Sequence, residues 1–285
     1  MSSRQRRDGG PREDTPPPRP DPLSVEALDS HCHLDLMDVD VAGAVRAAQA
    51  VGVRRMLTIG IDVASSQWCA QTAAEHADVW AGVAIHPNEA HRADEAAWAE
   101  IGRLAGLPQV RAVGETGLDY YRDTAPPDRQ QESFRRHIAI AKATGTALMI
   151  HDRNAHDDVL RLLEEEGAPE HVVFHCFSGD AAMAKVCADR GYAMSFAGNV
   201  TFRNAQPLRE AAAAAPLELL LVETDAPFLT PAPYRGHPNA PYLIPLTVRA
   251  LAEVKGVDAD TVAAAVTATA RRVFGPWPEE PAKAG

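Results

Sequence analysis

Histidine and acidic residues recur along this chain in positions where they could bind metal ions. His31 and His33, separated by one residue, would place two imidazoles on the same face of a strand, as a metal site requires. Four further candidates follow: Glu115, His151, His175 and Asp225. Taken singly, each is more often a buried side chain satisfied by hydrogen bonds, and Asp225 could simply cap a loop. Because all six fall at corresponding positions of the predicted fold, together they indicate a metal site more strongly than any one of them does alone.

Each candidate lies at the end of a segment that is predicted to be a buried strand. Eight short segments are rich in β-branched and aliphatic residues and are nearly continuously apolar, as strands buried on both faces are: 28–33, 53–60, 79–86, 110–115, 146–151, 171–176, 192–198 and 219–225. Helical patterns occupy 40–51, 65–77, 128–144, 155–166, 180–190, 204–214, 246–255 and 258–273.

Alternating strands and helices favour a parallel sheet, because each helix returns the chain to the same edge. With 285 residues, of which 46% are hydrophobic, the chain can form one α/β domain, a (β/α)8 TIM barrel. An open doubly wound sheet is the alternative that strand counting does not exclude. A barrel would gather all six candidates at the carboxyl ends of its strands, where barrel enzymes carry their active sites.

Four imidazoles and two carboxylates suit two divalent ions better than one. A plausible division places His31, His33 and Asp225 on one ion, and His151 and His175 on the other, with Glu115 as the bridge. Two such ions could share a water molecule and lower its pKa. A carboxylated lysine is excluded as the bridge, because the lysines lie in predicted helices or the tail: Lys142, Lys185, Lys255 and Lys283. Magnesium, manganese and zinc all remain candidates.

Charge and cysteine content restrict the class of protein. The 28 basic and 39 acidic residues give a net charge of −11, which disfavours a broad electrostatic grip on duplex DNA. No apolar run approaches the roughly 20 residues of a membrane span. Widely spaced cysteines without a C-x-x-C pair indicate reduced thiols in a cytoplasmic enzyme. Cys32 and Cys176, each beside a candidate ligand, are expected to face the helices.

The chain is divided by composition into three parts. Residues 1–27 form a Pro-rich extension that we expect to be disordered, residues 28–274 form the barrel, and residues 275–285 form a flexible tail.

Six sequence blocks resemble the TatD family of metal-dependent deoxyribonucleases. They are DSHCHLD at 29–35, GETGLDYY at 114–121, IHDR at 150–153, HCFSG at 175–179, SFAG at 195–198 and ETDAP at 223–227. The resemblance covers about residues 28–274. It implies a TIM-barrel phosphodiesterase that cleaves DNA with the six ligands above, as a 3′–5′ exonuclease on single strands or strand ends.

The resemblance also implies roles for individual residues. Asp225, acting with Glu115, would take a proton from the bridging water and return it to the leaving oxygen. His86 matches a family histidine in the pocket and is interpreted as a phosphate contact, although it could equally be a turn residue before Pro87. Glu223, two residues before Asp225, would support the ligands from one layer deeper.

Substrate contacts are predicted around the same face. Arg153 could fork onto a phosphate, and a salt bridge to Asp152 or Asp157 is the alternative. Tyr120 and Tyr121 could stack on a base, although packing at the barrel rim is more common.

The loop after the eighth strand departs from the family pattern. Arg235 is a predicted substrate contact in this loop, but His237 replaces the family lysine and Ala240 its glutamate. These departures bear on substrate preference rather than on the metals.

Two other functions remain open. A dinuclear hydrolase of a small amide, ester or phosphoester would use the same ligands, and the charge of −11 suits a small substrate at least as well. A non-catalytic metal-binding scaffold is disfavoured, because all six ligand positions are filled.

Overall fold

The computed structural model describes residues 13–122 and 124–277. Over these residues, eight parallel strands form one sheet in chain order, which confirms the (β/α)8 barrel and excludes the open doubly wound alternative. The strands are β1 Ala27–Cys32, β2 Val53–Ile59, β3 Val79–Val83, β4 Val110–Asp119, β5 Ala147–Arg153, β6 Val172–Phe174, β7 Ala193–Phe196 and β8 Leu220–Val222.

Nine α-helices occur in the described part of the chain. They are α1 Val41–Gln49, α2 Val63–Glu75, α3 Glu95–Ala105, α4 Pro127–Thr144, α5 His156–Glu166, α6 Ala181–Asp189, α7 Gln206–Ala214, α8 Ile244–Lys255 and α9 Ala259–Phe274. None of them is both long enough and apolar enough to cross a membrane.

Helix α3 was not predicted from the sequence. It begins after Asp94, whose side chain accepts a hydrogen bond from the Ala97 N–H, so its amino end is capped in the usual way. Its buried residues, Ile101, Leu104 and Ala105, all lie in the second half of the helix. Trp98, Ile101, Leu104 and Ala105 recur at helical spacing, so the signal for this helix was present in the sequence.

The barrel interior below the site is filled by side chains from alternate strand positions. Leu28, Ile59, Trp80, Met149 and Leu221 belong to this interior cluster. The end of α9 closes the opposite end of the barrel, where the Trp277 ring stacks on Trp80 with centroids 3.7 Å apart. The functional face is therefore supported by a packed floor rather than by an open channel.

The barrel closes between β8 and β1 just beyond the end of β8. The Asp225 N–H donates to the His31 carbonyl at 2.9 Å, and the His33 N–H donates to the Ala226 carbonyl at 2.8 Å. Below them, the buried Asp29 carboxylate accepts hydrogen bonds from both the N–H and the hydroxyl of Thr224. The contacts that close the barrel thus also position three candidate ligands, His31, His33 and Asp225.

Residues 13–26, which the sequence places in the Pro-rich extension, lie against the barrel. The Tyr242 hydroxyl donates to the Pro17 carbonyl at 2.7 Å, and the Leu23 N–H donates to Val51 at 3.1 Å. His237, one of the two departures from the family pattern, contacts the Thr15 carbonyl through Nδ1 at 2.9 Å. The disorder expected for residues 1–12 and for most of the tail concerns residues outside the described ranges.

We expect Thr224→Val to lower the free energy of unfolding by about 1–3 kcal/mol, because it leaves one oxygen of the buried Asp29 carboxyl without a donor. Thr267→Val is the matched control, since the Thr267 hydroxyl donates to the Glu26 carbonyl at an exposed position. Urea unfolding followed by circular dichroism measures both. Equal losses in the two variants would contradict this account of barrel closure.

Candidate metal centre

The two histidines of the first strand direct their Nε2 atoms to a common point. These atoms lie 3.3 Å apart. The other nitrogen of each ring is already engaged: His31 Nδ1 lies 3.1 Å from Met149 Sδ, and His33 Nδ1 donates to the Ile59 carbonyl at 2.9 Å. This arrangement leaves both Nε2 atoms available for an ion, as the outer contacts of metal-binding histidines usually do.

Two carboxylates complete a set of four donors around that point. Glu115 Oε2 lies 3.6 Å from His31 Nε2 and 3.7 Å from His33 Nε2. Asp225 Oδ1 lies 3.7 and 3.6 Å from the same two atoms. Ligands of a tetrahedral site with metal–ligand distances of about 2.1 Å are separated by about 3.4 Å. Each carboxylate oxygen therefore lies at a distance from the two histidine nitrogens that suits ligands of one divalent ion.

A second group of imidazoles surrounds the other oxygen of Glu115. Oε1 lies 2.7 Å from His151 Nδ1, 2.9 Å from His175 Nε2 and 3.4 Å from His86 Nε2. His151 directs Nδ1 at Glu115, while its Nε2 faces the Asp119 carboxylate. Glu115 thus directs one oxygen to each donor group, as the predicted bridge would.

His86, predicted as a phosphate contact or as a turn residue, lies directly beside Glu115. Its Nδ1 accepts the Asn88 N–H at 3.0 Å, which is the turn interpretation, while its Nε2 is directed at Glu115. The two interpretations are therefore compatible. With Glu115 and His151, His86 forms a group of three donors that lie within 4.8 Å of one another.

Asp119 is a site residue that the sequence analysis missed. Its Oδ2 lies 3.3 Å from His151 Nε2, and its Oδ1 accepts the N–H groups of Tyr121 and Arg122. Burial raises its pKa, but the contact with His151 and these hydrogen bonds outweigh burial and hold the pKa below its usual value. The available signal was its spacing of four residues from Glu115, because positions i and i+4 of a strand share a face.

Gly117, between these two carboxylates, allows β4 and β5 to approach closely at the site. It adopts a φ of +130°, and a Cβ there would lie 2.1 Å from the His151 carbonyl oxygen. Only glycine tolerates both conditions. β4 therefore extends through the site to Asp119, whereas the sequence analysis ended it at Glu115.

Glu223 supports the second imidazole group from below. It is fully buried, its Oε1 lies 3.2 Å from His175 Nδ1, and the same oxygen accepts the Cys176 N–H at 2.8 Å. A carboxylate in this position fixes the ring and favours its Nε2 as the metal-binding atom.

The strands β6 and β8 end before the residues that they position. β6 ends at Phe174 and β8 at Val222, so His175 and Asp225 lie in the segments that follow.

Cys176 also lies beyond its strand, with a φ of 42°, so the alternation of side chains along a strand does not apply to it. Its half-buried thiol accepts a hydrogen bond from the amide of Asn199, which follows β7, and it is not part of the helix-facing core. The thiol therefore lies at the mouth, and the prediction that it faces the helices is wrong. Cys32, in contrast, is buried in the helix-facing core as predicted.

Burial and the close approach of imidazoles and carboxylates shift the pKa values of the centre in opposite directions. Burial lowers the pKa of His31 well below its usual range. Burial also opposes charge on His33, but Asp225 and Glu115 outweigh it and raise its pKa to about 9. Glu115 is ionised, because the surrounding imidazoles more than compensate for its burial and hold its pKa well below normal.

The two tyrosines predicted to stack on a base lie in different surroundings. The Tyr120 hydroxyl donates to Asp158 on α5 and accepts from Gln131 on α4, so this ring has the packing role instead of facing the mouth. Tyr121 is 56% exposed, with the Arg153 guanidinium 4.0 Å from its ring centroid.

Among the described residues, Arg153 forms no salt bridge to Asp152 or Asp157. The Arg235 guanidinium lies 4.0 Å from the Phe202 ring.

Comparison with known proteins shows a consistent pattern of similarity. A family model described as TatD related DNase matches residues 28–275. An uncharacterized metal-dependent hydrolase TatD of Mycobacterium tuberculosis is 48% identical over 257 residues, which is 87% of this chain and 97% of the relative. YabD of Bacillus subtilis, also described as an uncharacterized metal-dependent hydrolase, is 37% identical over 251 residues, 87% of this chain and 98% of its own length.

Solved structures agree with the fold. YJJV, a TatD homolog from Escherichia coli, superposes with a TM-score of 0.83 at 26% identity, covering 87% of this chain and 97% of that one. A TatD family hydrolase from Entamoeba histolytica gives a TM-score of 0.78 at 16% identity over 88% of this chain and 99% of its own, a likeness of fold alone.

Asp119→Asn should weaken the binding of an ion at the second donor group about 10- to 100-fold and leave the first group unaffected, because it removes the charge beside His151. Titration of the metal-free protein with Zn²⁺ or Mn²⁺ in the calorimeter measures both affinities. Asp189→Asn, an exposed residue at the end of α6, is the control. Two unchanged affinities in Asp119→Asn would show that Asp119 has no part in the centre.

Metal binding should release protons, and the apparent affinity should rise with pH. The pKa of about 9 at His33 means that the metal-free protein carries a proton there at neutral pH, which an ion must displace. The apparent affinity therefore increases as pH rises toward about 9 and levels off above it. Calorimetric titrations in buffers of different ionisation enthalpy count the protons released. An affinity independent of pH across this range would contradict the assignment of His33 as a ligand.

Proposed function

Because this chain belongs to the TatD related DNase family and is a metal-dependent hydrolase, we propose that it cleaves DNA phosphodiester bonds at the ends of single strands. The preferred direction is 3′ to 5′. The observation that carries the proposal is Glu115, whose two oxygens face different imidazoles: His31 and His33 near one, His151 and His175 near the other. That arrangement suits the two ions commonly used for in-line displacement at phosphorus.

The six predicted ligands would divide between two divalent ions. The first group would be His31, His33 and Asp225, the second would be His151 and His175, and Glu115 would belong to both. Magnesium, manganese or zinc bound there would act as a Lewis acid and lower the pKa of a water molecule. Glu223 and Asp119 would hold the second group of rings in place by their contacts with His175 and His151.

Asp225 is the residue best placed to move protons. Its side chain is 15% exposed, whereas those of Glu115 and Glu223 are 6% and 0% exposed, so it is the most accessible of these carboxylates. It would accept a proton from the water whose oxygen attacks phosphorus. It would return that proton to the O3′ atom as the P–O3′ bond breaks. The products are a nucleotide with a 5′ phosphate and a strand with a free 3′ hydroxyl.

Substrate contacts would come from the rim of the mouth. Arg153 and Arg235 offer guanidinium groups for phosphates, and the side chain of His86 is 13% exposed beside Glu115. These few contacts suit a strand end better than a duplex, because the net charge of −11 provides no broad basic surface. We place the activity in the cytoplasm, where the four free cysteines stay reduced.

The acidic charge also favours a second candidate, the hydrolysis of a small amide, ester or phosphoester. The same ligands would serve, and only the substrate would differ. A panel of small esters and amides tested beside DNA separates the two, since activity on that panel with none on DNA favours the second candidate.

Asp225→Asn should lower kcat on end-labelled single-stranded DNA about 10²- to 10⁴-fold, because the amide cannot accept the proton of the attacking water. Glu115→Ala should abolish activity, since both donor groups lose a shared ligand. Asp38→Asn, an exposed acidic residue on a loop of the same face, is the control. If the wild type shortens no DNA with Mg²⁺, Mn²⁺ or Zn²⁺, the proposed substrate is wrong.

A further inference from the structure

Exposed apolar side chains are concentrated around the mouth of the barrel. Six large hydrophobic residues are exposed in the described part of the chain, and four of these lie on loops that follow β1, β4 or β8: Leu36, Val39, Tyr121 and Phe228. Single exposed apolar residues are ordinary on protein surfaces. Their concentration beside a metal centre instead marks a surface that contacts an apolar part of a ligand.

Phe228 is the member of this set nearest to the candidate ligands. It is 46% exposed, and its ring centroid lies 6.1 Å from that of His33. This ring therefore forms part of the wall of the metal centre while leaving much of its surface open. A phenyl group has no hydrogen-bonding or charged atom, so what it can offer a ligand is an apolar face.

The backbone that carries Phe228 is restrained by hydrogen bonds on both sides of the residue. Its N–H donates to the Asp225 carbonyl at 2.8 Å, and Asp225 and Leu229 on either side adopt left-handed φ values of 52° and 55°. Such values are unfavourable for residues other than glycine and persist only where the surroundings impose them. The buried Asn239 amide provides that constraint by donating to the carbonyls of Thr224 and Phe228. The ring is therefore presented by a preorganised turn.

A second aromatic ring lies on the other side of the mouth. Tyr121 follows β4 and Phe228 follows β8, and strands four places apart in an eight-stranded barrel are diametrically opposed. The Arg153 guanidinium lies 4.0 Å from the Tyr121 ring centroid and adds a flat cationic group to that side. The mouth of the barrel thus carries an aromatic ring on each of two loops that follow opposite strands.

We infer that Phe228 and Tyr121 are stacking platforms for the unpaired bases on either side of the cleaved phosphate. This inference rests on the proposed function. Because the net charge is −11, attraction to the DNA backbone contributes little, and stacking supplies the affinity. Every base has a face that can stack, so cleavage is independent of sequence. Bases inside a duplex have no free face, so the substrate is single-stranded.

The test compares Phe228→Ala with Phe228→Trp on a short single-stranded oligonucleotide. Phe228→Ala should raise KM about 5- to 150-fold, as expected for the loss of one base stack, and Phe228→Trp should keep KM near the wild-type value. Replacing the two bases that flank the cleaved phosphate with abasic residues should raise the wild-type KM by a similar factor, because no ring is then left to stack. Val186→Ala, which shortens an exposed apolar side chain on α6, is the matched control.

A binding measurement separates stacking from a general loss of structure. An oligonucleotide that carries a fluorescent adenine analogue next to the end should lose emission on binding to the wild type and to Phe228→Trp, but not to Phe228→Ala. Tyr121→Ala should abolish the same quenching for an analogue on the other side of the cleaved bond. Binding should also depend only weakly on salt, because few phosphate contacts are made.

The outcomes distinguish this inference from the function on which it rests. If the wild type cleaves DNA and Phe228→Ala has an unchanged KM and full quenching, the stacking role is wrong while the nuclease stands. If the wild type hydrolyses bis(p-nitrophenyl) phosphate but neither binds nor cleaves DNA, both the proposed substrate and the stacking platforms are overturned.

Discussion

A single buried carboxylate in β4, that of Glu115, constrains the rest of this face. Burying an ionised group is costly unless opposite charges and hydrogen bonds surround it. Glu115 meets that requirement through imidazoles on both sides, with His31 and His33 near one oxygen and His151 and His175 near the other. These rings come from three different parts of the barrel, so the carboxylate can be accommodated only when the barrel has closed.

Closure of the barrel and assembly of the centre are therefore physically coupled. β8 is short, and the chain beyond it completes the barrel through hydrogen bonds of Thr224, Asp225 and Ala226 to the β1 segment. The same residues deliver the Asp225 carboxylate to the first pair of histidines. Ligands that lie beyond the strands are still joined to neighbouring strands or to one another by backbone hydrogen bonds, so the site is held more precisely than one built on free loops.

An outer layer of contacts orients the rings around Glu115. The Ile59 carbonyl holds His33, Glu223 holds His175, and Asp119 lies beside His151. Each contact engages one ring nitrogen, which leaves the other for a ligand. The outer layer also concentrates negative charge at the mouth, which repels an anionic substrate. Binding of such a substrate would therefore depend on metal cations, two arginines and aromatic rings.

Much of this structure is encoded locally and was readable from the sequence. Continuous apolar segments and intervening helical patterns predicted eight strands in a barrel, and the rule that barrel sites lie at strand ends united His31, His33, Glu115, His151, His175 and Asp225. Glu223 was found by its spacing of two residues from Asp225, because alternation along a strand is a local property. The family motifs added the expected chemistry, which sequence patterns alone do not define.

Only the tertiary structure determined where these local rules cease to apply. β4 continues to Asp119 through a glycine that lets β5 approach, whereas β6 stops before His175, and strand lengths depend on pairing between distant segments. Cys176 consequently reaches the mouth, and of the adjacent tyrosines Tyr120 packs on the helices while Tyr121 is exposed. Neighbours in sequence show alternating directions only within a regular strand. The sequence therefore determined which residues could bind metal, and the contacts between strands determined which others join them.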